Sequence, residues 1–192
     1  FGRAYRRRTA FGVVFYNGQV IPYFAIYTFL PLVLVKMGVG EESTAVDGLL
    51  NLFLLLGSVV GLWLVARMSR RGLTIWSFAV LAASMAPMAL WPDAPTLLLF
   101  PLFLVFTFTM SAAVNLDQVY PPELFPTGLR SSGVGLLNGT SRIGSAVGTF
   151  LLPLSLDSFG FSDTMLVLTV VLVVGLVTSV LWAPETKGVV LE

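Results

Sequence analysis

Long apolar stretches separated by short polar turns dominate the chain. Six segments, at about 10–35, 45–66, 73–91, 95–119, 131–155 and 164–183, are each long and apolar enough for a membrane helix, which needs about 20 such residues. The breaks carry turn chemistry: a polar turn at 38–43, a basic one at 67–72, Trp-Pro-Asp-Ala-Pro at 91–95 and an acidic one at 157–163. Between the fourth and fifth segments runs Tyr-Pro-Pro-Glu-Leu-Phe-Pro-Thr-Gly-Leu-Arg (120–130), a charged loop stiffened by prolines. The pattern predicts an all-α polytopic bundle over 10–183. Residues 1–9 form a cytoplasmic linker and 184–192 a cytoplasmic tail. No sheet is expected, because an open sheet edge is intolerable in lipid.

Polar positions interrupt four of the six segments at helical spacing, where residues three and four apart share a face. The first carries Tyr16, Gln19, Tyr23 and Tyr27; the second Asp47, Asn51, Ser58 and Gly61. The fourth carries Thr107, Ser111, Asn115 and Gln118, and the fifth Asn138, Arg142, Ser145 and Thr149. The third and sixth carry only scattered Ser and Thr. This division predicts a half-cavity lined by four helices and buttressed by two. Gly57/Gly61 and Gly144/Gly148 place G-x-x-x-G in the middle helix of each successive triplet. Small residues at that spacing let helices approach closely, and two triplets of opposite orientation make an inverted 3+3 repeat.

Composition narrows the class. The chain is 56 % hydrophobic and 11 % charged, against roughly 25 % charged for a soluble domain. It has no Cys and no His, which removes disulfides, thiolate and imidazole metal sites and Ser-His-Asp chemistry. No phosphate-binding glycine loop is present, because Gly133, Gly135 and Gly139 miss the dinucleotide spacing by one residue. Neither an enzyme, a metal, a cofactor nor a nucleic-acid partner is expected. With six spans, one side holds Arg3, Arg6, Arg7, Arg8, Arg67, Arg70, Arg71, Arg130 and Lys187, and the other holds Lys36 with Glu41, Glu42, Asp47, Asp93, Asp157 and Asp163. The positive-inside rule then puts both ends in the cytoplasm of a multi-pass protein of the cell (inner or plasma) membrane. The chain starts at Phe1 and is expected to be a piece of something longer.

Arg142 is the first chemical candidate. It lies about 18 Å above Arg130 at 1.5 Å per residue, near the middle of a ~30 Å hydrocarbon core, where a charge needs protein, water or a partner. It is read as an anion anchor, with a structural arginine as the alternative. Asp117, off the fourth helix's stripe, reads first as an interfacial acid paired with an arginine and second as a proton-coupling residue. Tyr16, Gln19, Tyr23 and Tyr27 suit a cavity lining, with Asn17 flanking it and Pro22 as a kink. The amides of Asn51, Asn115, Gln118 and Asn138 can read hydroxyls or carboxylates, or bond neighbouring helices. Arg67, Arg70, Arg71, Glu123, Arg130, Glu185 and Lys187 gather at the cytoplasmic side as a candidate gate.

Pro-Glu-Leu-Phe-Pro-Thr-Gly-Leu-Arg (122–130), Ser141-Arg142-Ile143-Gly144 and Pro-Glu-Thr-Lys-Gly (184–188) together resemble the major facilitator superfamily, in its sugar-porter and metabolite:proton symporter branch. The resemblance covers the whole chain and implies the C-terminal six helices of a twelve-helix transporter, whose partner is an N-terminal six-helix half. It implies that Glu123, Arg130, Glu185, Arg70 and Arg71 close a cytoplasmic gate. Ala66 and Ser69 depart from the family pattern there, in place of an acid and a glycine, while Arg67 keeps the basic position. Asn17 and Gln19 are similar to the sugar-porter amides without matching their spacing. Gln118 stands where sugar porters have a cavity tryptophan, and Arg142 near another cavity aromatic. These departures favour an anion over a hexose, because a guanidinium matches a carboxylate bidentately. The expected function is alternating-access, proton-coupled transport of a small organic acid. Alternatives are a sugar or polyol porter, and a non-transporting six-helix channel or sensor module.

Overall fold

A computed structural model of the chain describes residues 5–38, 44–91 and 94–188. Arg3, Glu41, Glu42 and Asp93 lie outside the described residues. Seven α-helices follow one another: α1 (Arg6–Thr28), α2 (Leu30–Lys36), α3 (Thr44–Arg67), α4 (Arg70–Leu90), α5 (Thr96–Glu123), α6 (Arg130–Ser158) and α7 (Gly160–Trp182), with a 3₁₀ turn at Thr127–Leu129. No strand occurs among the described residues. Helices α3, α4, α5 and α7 are each long and apolar enough to cross a bilayer, as is the bent pair α1 and α2 taken together. Helix α6 has 29 residues, and its polar face keeps it outside that apolar set. With α1–α2 as one broken pass, the chain runs six times between the same two ends of the bundle.

Three boundaries differ from the sequence pattern for backbone reasons. The pattern over 10–35 predicts one helix kinked at Pro22. The structure keeps α1 continuous through Pro22 and breaks it at Phe29, where α1 and α2 bend by 78°. Pro31, in the first turn of α2, accounts for this: it lacks the N–H that would bond the Tyr27 carbonyl, and its ring disfavours a helical residue before it. The expected loop at 120–130 is shorter than its prolines suggest. Helix α5 takes in Pro121 and Pro122 and ends at Glu123, leaving 124–126 and the 3₁₀ turn to lead into α6. The acidic turn expected at 157–163 is absorbed into α6 and α7, which meet at Phe159 and at Gly160 with φ +85°.

Packing follows an exchange rule. The most extensive seams are α1 on α6 and α3 on α5, followed by α4 on α7. The seam of α4 on α5 is matched by one of α1 on α7. Swapping α1 with α5, α3 with α6 and α4 with α7 maps these seams onto one another, as an inverted 3+3 repeat requires. The glycine pairs sit at the equivalent places. A Cβ on Gly57 would overlap the Phe108 carbonyl oxygen, and one on Gly61 would lie 2.5 Å from that of Ala112, so both let α3 touch the α5 backbone. On α6, Gly148 lies against the Ile21 backbone of α1, and Gly144 makes room for the Asn17 side chain. In lipid, apolar transfer drives no helix association, and close packing has to supply the attraction.

At the end of the bundle that holds Arg67, Arg70 and Glu123, called the basic end below, aromatic rings fill the core. Tyr120 lies edge-on to Phe11 and Phe15, with ring centroids at 5.6 and 5.5 Å, and Phe78 lies 6.2 Å from Phe15. The Phe78 ring fits the notch made by Gly18 of α1 and Gly175 of α7.

Gly57→Leu should force α3 off α5 and lower stability by about 1–3 kcal/mol, the usual cost of overpacking. Gly139→Ala, whose Cβ meets open space, should not lower the thermal stability of the detergent-solubilised protein, since alanine is the better helix former.

Candidate functional site

A cleft of about 180 Å³ opens at mid-bundle between α1, α5 and α6. Tyr16, Gln19 and Tyr23 reach it from α1, Asp117 and Gln118 from α5, and Ser141 and Arg142 from α6; Phe24, Met110 and Val114 complete an apolar wall. Gln19 is 1 % exposed, and both its amide nitrogen and oxygen lack a hydrogen-bond partner. Asp117 is 7 % exposed, with Oδ1 likewise unpartnered. Such groups are costly in a low-dielectric interior unless something bonds them. Arg142 is exposed on the open face of α6 and makes no ion pair among the described residues. The Tyr16 hydroxyl is within electrostatic reach of both Asp117 and Arg142, and it donates to Asn138 Oδ1 at 3.1 Å.

The structure sorts the expected lining residues. Tyr16, Gln19, Tyr23, Gln118 and Arg142 converge on the cleft, and Asn138 adjoins it through Tyr16. Tyr27 sits deeper in the α1–α5 seam, its hydroxyl turned toward that of Thr107, with neither at hydrogen-bonding distance from a partner. Three amides lie elsewhere. Asn17 bonds the Val13 carbonyl at 2.9 Å and packs on Gly144. Asn115 donates to the Ser58 carbonyl at 3.1 Å, beside Ser111, which donates to that of Leu54 at 2.6 Å. Both therefore tie α5 to α3. Asn51 is exposed on α3, outside the cleft lining.

Asp117 departs from its first reading. It is no interfacial acid paired with an arginine but a buried carboxylate in the cleft. Its position, about 280° round the helix from Thr107 at 100° per residue, faces α1 because Ser111 and Asn115 take the α3 side. Ser141 and the apolar wall were missed: a lone serine or an apolar residue in a membrane segment carries no signal of its own.

A second assembly of charged residues sits at the basic end. Arg70 pairs with Glu123 at 3.0 Å, and its Nε donates to the same carboxylate at 3.1 and 3.3 Å. Thr186 Oγ1 donates to Glu123 Oε2 at 2.6 Å. Glu185 accepts backbone N–H bonds from Arg70 at 3.0 Å and Arg71 at 3.3 Å, capping the N-terminus of α4, where a helix favours negative charge. Lys187 Nζ donates to the carbonyls of Ala66, Arg67 and Met68 and so caps the C-terminus of α3. The segment after α7 thus clamps the α3–α4 turn from both sides, and Tyr120 anchors it by donating to the Pro184 carbonyl. Arg67 stands apart with its guanidinium over the Trp63 ring at 5.9 Å. Arg130 is exposed at the start of α6 without an ion pair among the described residues, so the acid it was grouped with, Glu123, belongs instead to Arg70.

Partial burial pushes the Glu185 carboxyl up, but N–H bonds from Lys187, Arg70 and Arg71 with the Ser69 hydroxyl outweigh it and hold Glu185 below the usual carboxylate range. A lowered folded-state value contributes stability above the ordinary value of about 4.3, and that contribution fades as pH falls through the lower one. Thermal melts from pH 7 to pH 3 should lose stability on the acid side, and Glu185→Gln should flatten that part of the profile.

Comparison with known proteins adds an independent finding. The family model described as "Sugar (and other) transporter" matches residues 1–192. The chain is 44 % identical over 188 residues to the inner membrane metabolite transport protein YgcS of Escherichia coli (strain K12), covering 98 % of this chain and 42 % of that protein. It is 38 % identical over 190 residues to the putative metabolite transport protein YaaU of the same organism, covering 98 % and 43 %. The chain thus spans less than half the length of these curated relatives. A crystal structure of a POT family transporter in complex with a thioalcohol-conjugated peptide superposes with a TM-score of 0.69 at 16 % identity, over 94 % of this chain and 39 % of that one. That likeness is one of fold.

Proposed function

The chain belongs to the sugar (and other) transporter family, of the major facilitator type, and we propose that it is one half of a secondary active transporter for a small organic acid. It is a multi-pass membrane protein with metabolite transporters as its relatives. The observation that carries the substrate class is the exposed Arg142 guanidinium beside two buried, unsatisfied polar groups, Gln19 and Asp117. An unpaired guanidinium at mid-membrane favours an anion, and a carboxylate meets it with two parallel hydrogen bonds. The Gln19 amide, open at both ends, then bonds the substrate's polar body. The open face of α6 meets a second six-helix half, and the substrate sits between the two while they rock about it.

In this mechanism the basic end faces the cytoplasm. Arg70, Glu123 and Glu185 lock it when the site opens outward, and a gap of a few kcal/mol is enough for such a lock. Arg67, Arg71 and Arg130 add positive charge around it. Asp117 takes up the coupling proton, as the buried carboxylate that lines the cleft. A second reading, a sugar or polyol porter, is favoured by the Gln19 and Gln118 amides, which suit hydroxyls.

Uptake by the full-length protein in proteoliposomes, with and without an imposed pH gradient, separates the readings. Small carboxylates should compete and neutral sugars should not. Arg142→Lys should weaken uptake strongly and Arg142→Ala abolish it, whereas Asp117→Asn should remove the response to the gradient but leave exchange. Undiminished uptake by Arg142→Ala would remove the anchor role, and competition by neutral polyols alone would favour the second reading.

A further inference from the structure

A second charged recess lies at the basic end, away from the cleft. It has a volume of about 330 Å³ and is lined by Arg7 and Arg8 of α1, Arg71 of α4, and Leu181, Trp182 and Pro184 at the end of α7. No carboxylate lines it, and the single ion pair among the described residues, Arg70 with Glu123, lies outside it. The acid at its border, Glu185, is committed to the backbone N–H groups of Arg70, Arg71 and Lys187.

Part of this basic character has a structural use. Arg7 Nη2 donates to the Leu181 carbonyl at 2.5 Å and Arg71 Nη2 to the Val180 carbonyl at 2.9 Å, so both cap the C-terminus of α7. Capping takes one N–H each of Arg7 and Arg71, of the five a guanidinium has, and Arg7, Arg8 and Arg71 make no ion pair among the described residues, so three guanidinium charges face one carboxylate, Glu185, at the border. The Arg8 guanidinium lies 6.0 Å from the Tyr5 ring and has no ion pair among the described residues. The setting is that of a bilayer surface. Helix α7 presents Val167, Val170, Val174, Val177 and Leu181 as an exposed apolar stripe, ending in the half-exposed Trp182 under the Arg7 guanidinium at 6.0 Å. Acyl chains lie along such a stripe, and tryptophan belongs at the headgroup level.

We propose that this recess binds the phosphate headgroup of an anionic phospholipid, with Arg7, Arg8 and Arg71 on the phosphate, Trp182 at the glycerol level and one acyl chain along α7. Basic pockets at the ends of membrane helices recognise such headgroups by charge and hydrogen bonding together. The lipid would fix the end of α7 against the starts of α1 and α4, next to the residues that clamp the α3–α4 turn. The assignment needs only that the bundle spans a bilayer, so failure of the organic-acid reading leaves it standing.

Native mass spectrometry of the full-length protein in mild detergent tests it, titrating phosphatidylglycerol, phosphatidylcholine and soluble glycerol phosphate in parallel. Phosphatidylglycerol should be retained, and phosphatidylcholine and glycerol phosphate should not. The double variant Arg7→Gln, Arg8→Gln should lower retention by roughly thirty-fold, from the usual contribution of a basic side chain near an anionic surface, while Arg7→Lys, Arg8→Lys keeps most of it. High salt should strip phosphatidylglycerol from the unaltered protein, a measurement that does not depend on a variant folding. Equal retention of the zwitterionic lipid, or retention insensitive to both salt and the Gln pair, overturns the site. Glycerol phosphate binding as tightly as the lipid reassigns it to a soluble anion and overturns the lipid assignment.

Discussion

Close backbone contact along two seams, α3 on α5 and α1 on α6, holds the bundle together. Inside a membrane there is no gain from moving apolar surface out of water, so helices adhere by dispersion and by hydrogen bonds their side chains can reach. Gly57 and Gly61 remove the side chains that would hold α3 off α5, and Ser111 and Asn115 then reach the carbonyls of Leu54 and Ser58. Gly144 and Gly148 do the equivalent on α6, where Asn17 and Ile21 of α1 fill the space. The two seams are related by the inverted repeat, so one packing solution is used twice in opposite orientation.

That arrangement determines which residues remain free for chemistry. Once α5 has spent Ser111 and Asn115 on α3, its remaining polar face at Asp117 and Gln118 turns toward α1 and α6. Once α1 has packed Asn17 and Gly18 against its neighbours, Tyr16, Gln19 and Tyr23 look into the space between. The cleft is therefore what is left after the seams are satisfied, and its unsatisfied amide and carboxylate are groups that no neighbouring helix uses. At the basic end the opposite holds: the charges of Arg70, Glu123, Glu185 and Lys187 are nearly all bonded, in a network that joins the α3–α4 turn, the end of α5 and the segment after α7.

The arginines at that end divide by what surrounds them. Arg70 is enclosed and ion-paired, and Arg71 and Arg7 cap α7. Arg67 lies over an exposed tryptophan, and Arg130 points to solvent at the open face of α6. Residues grouped by one topological side thus perform different physical tasks, from locking a turn to capping a helix.

The sequence by itself determined that lipid is the solvent and where the long apolar segments fall, because these depend only on segment length and hydropathy. The G-x-x-x-G pairs, Arg142, and the motifs at 122–130 and 184–188 were legible for the same reason: each is unusual at its position in a membrane chain. The choice among polar residues with equal spacing was not legible. Thr107, Ser111, Asn115 and Gln118 share one stripe in the sequence, yet two serve the α3 seam, one is buried in the α1–α5 seam and one faces the cleft. Asp117, off that stripe, proved to be a cleft residue, and the break in the first span fell at Phe29 and not at Pro22. Helical periodicity fixes where a residue lies around its own axis. It does not say which neighbour stands at that angle, and only the packed arrangement of α1, α3, α5 and α6 decides that.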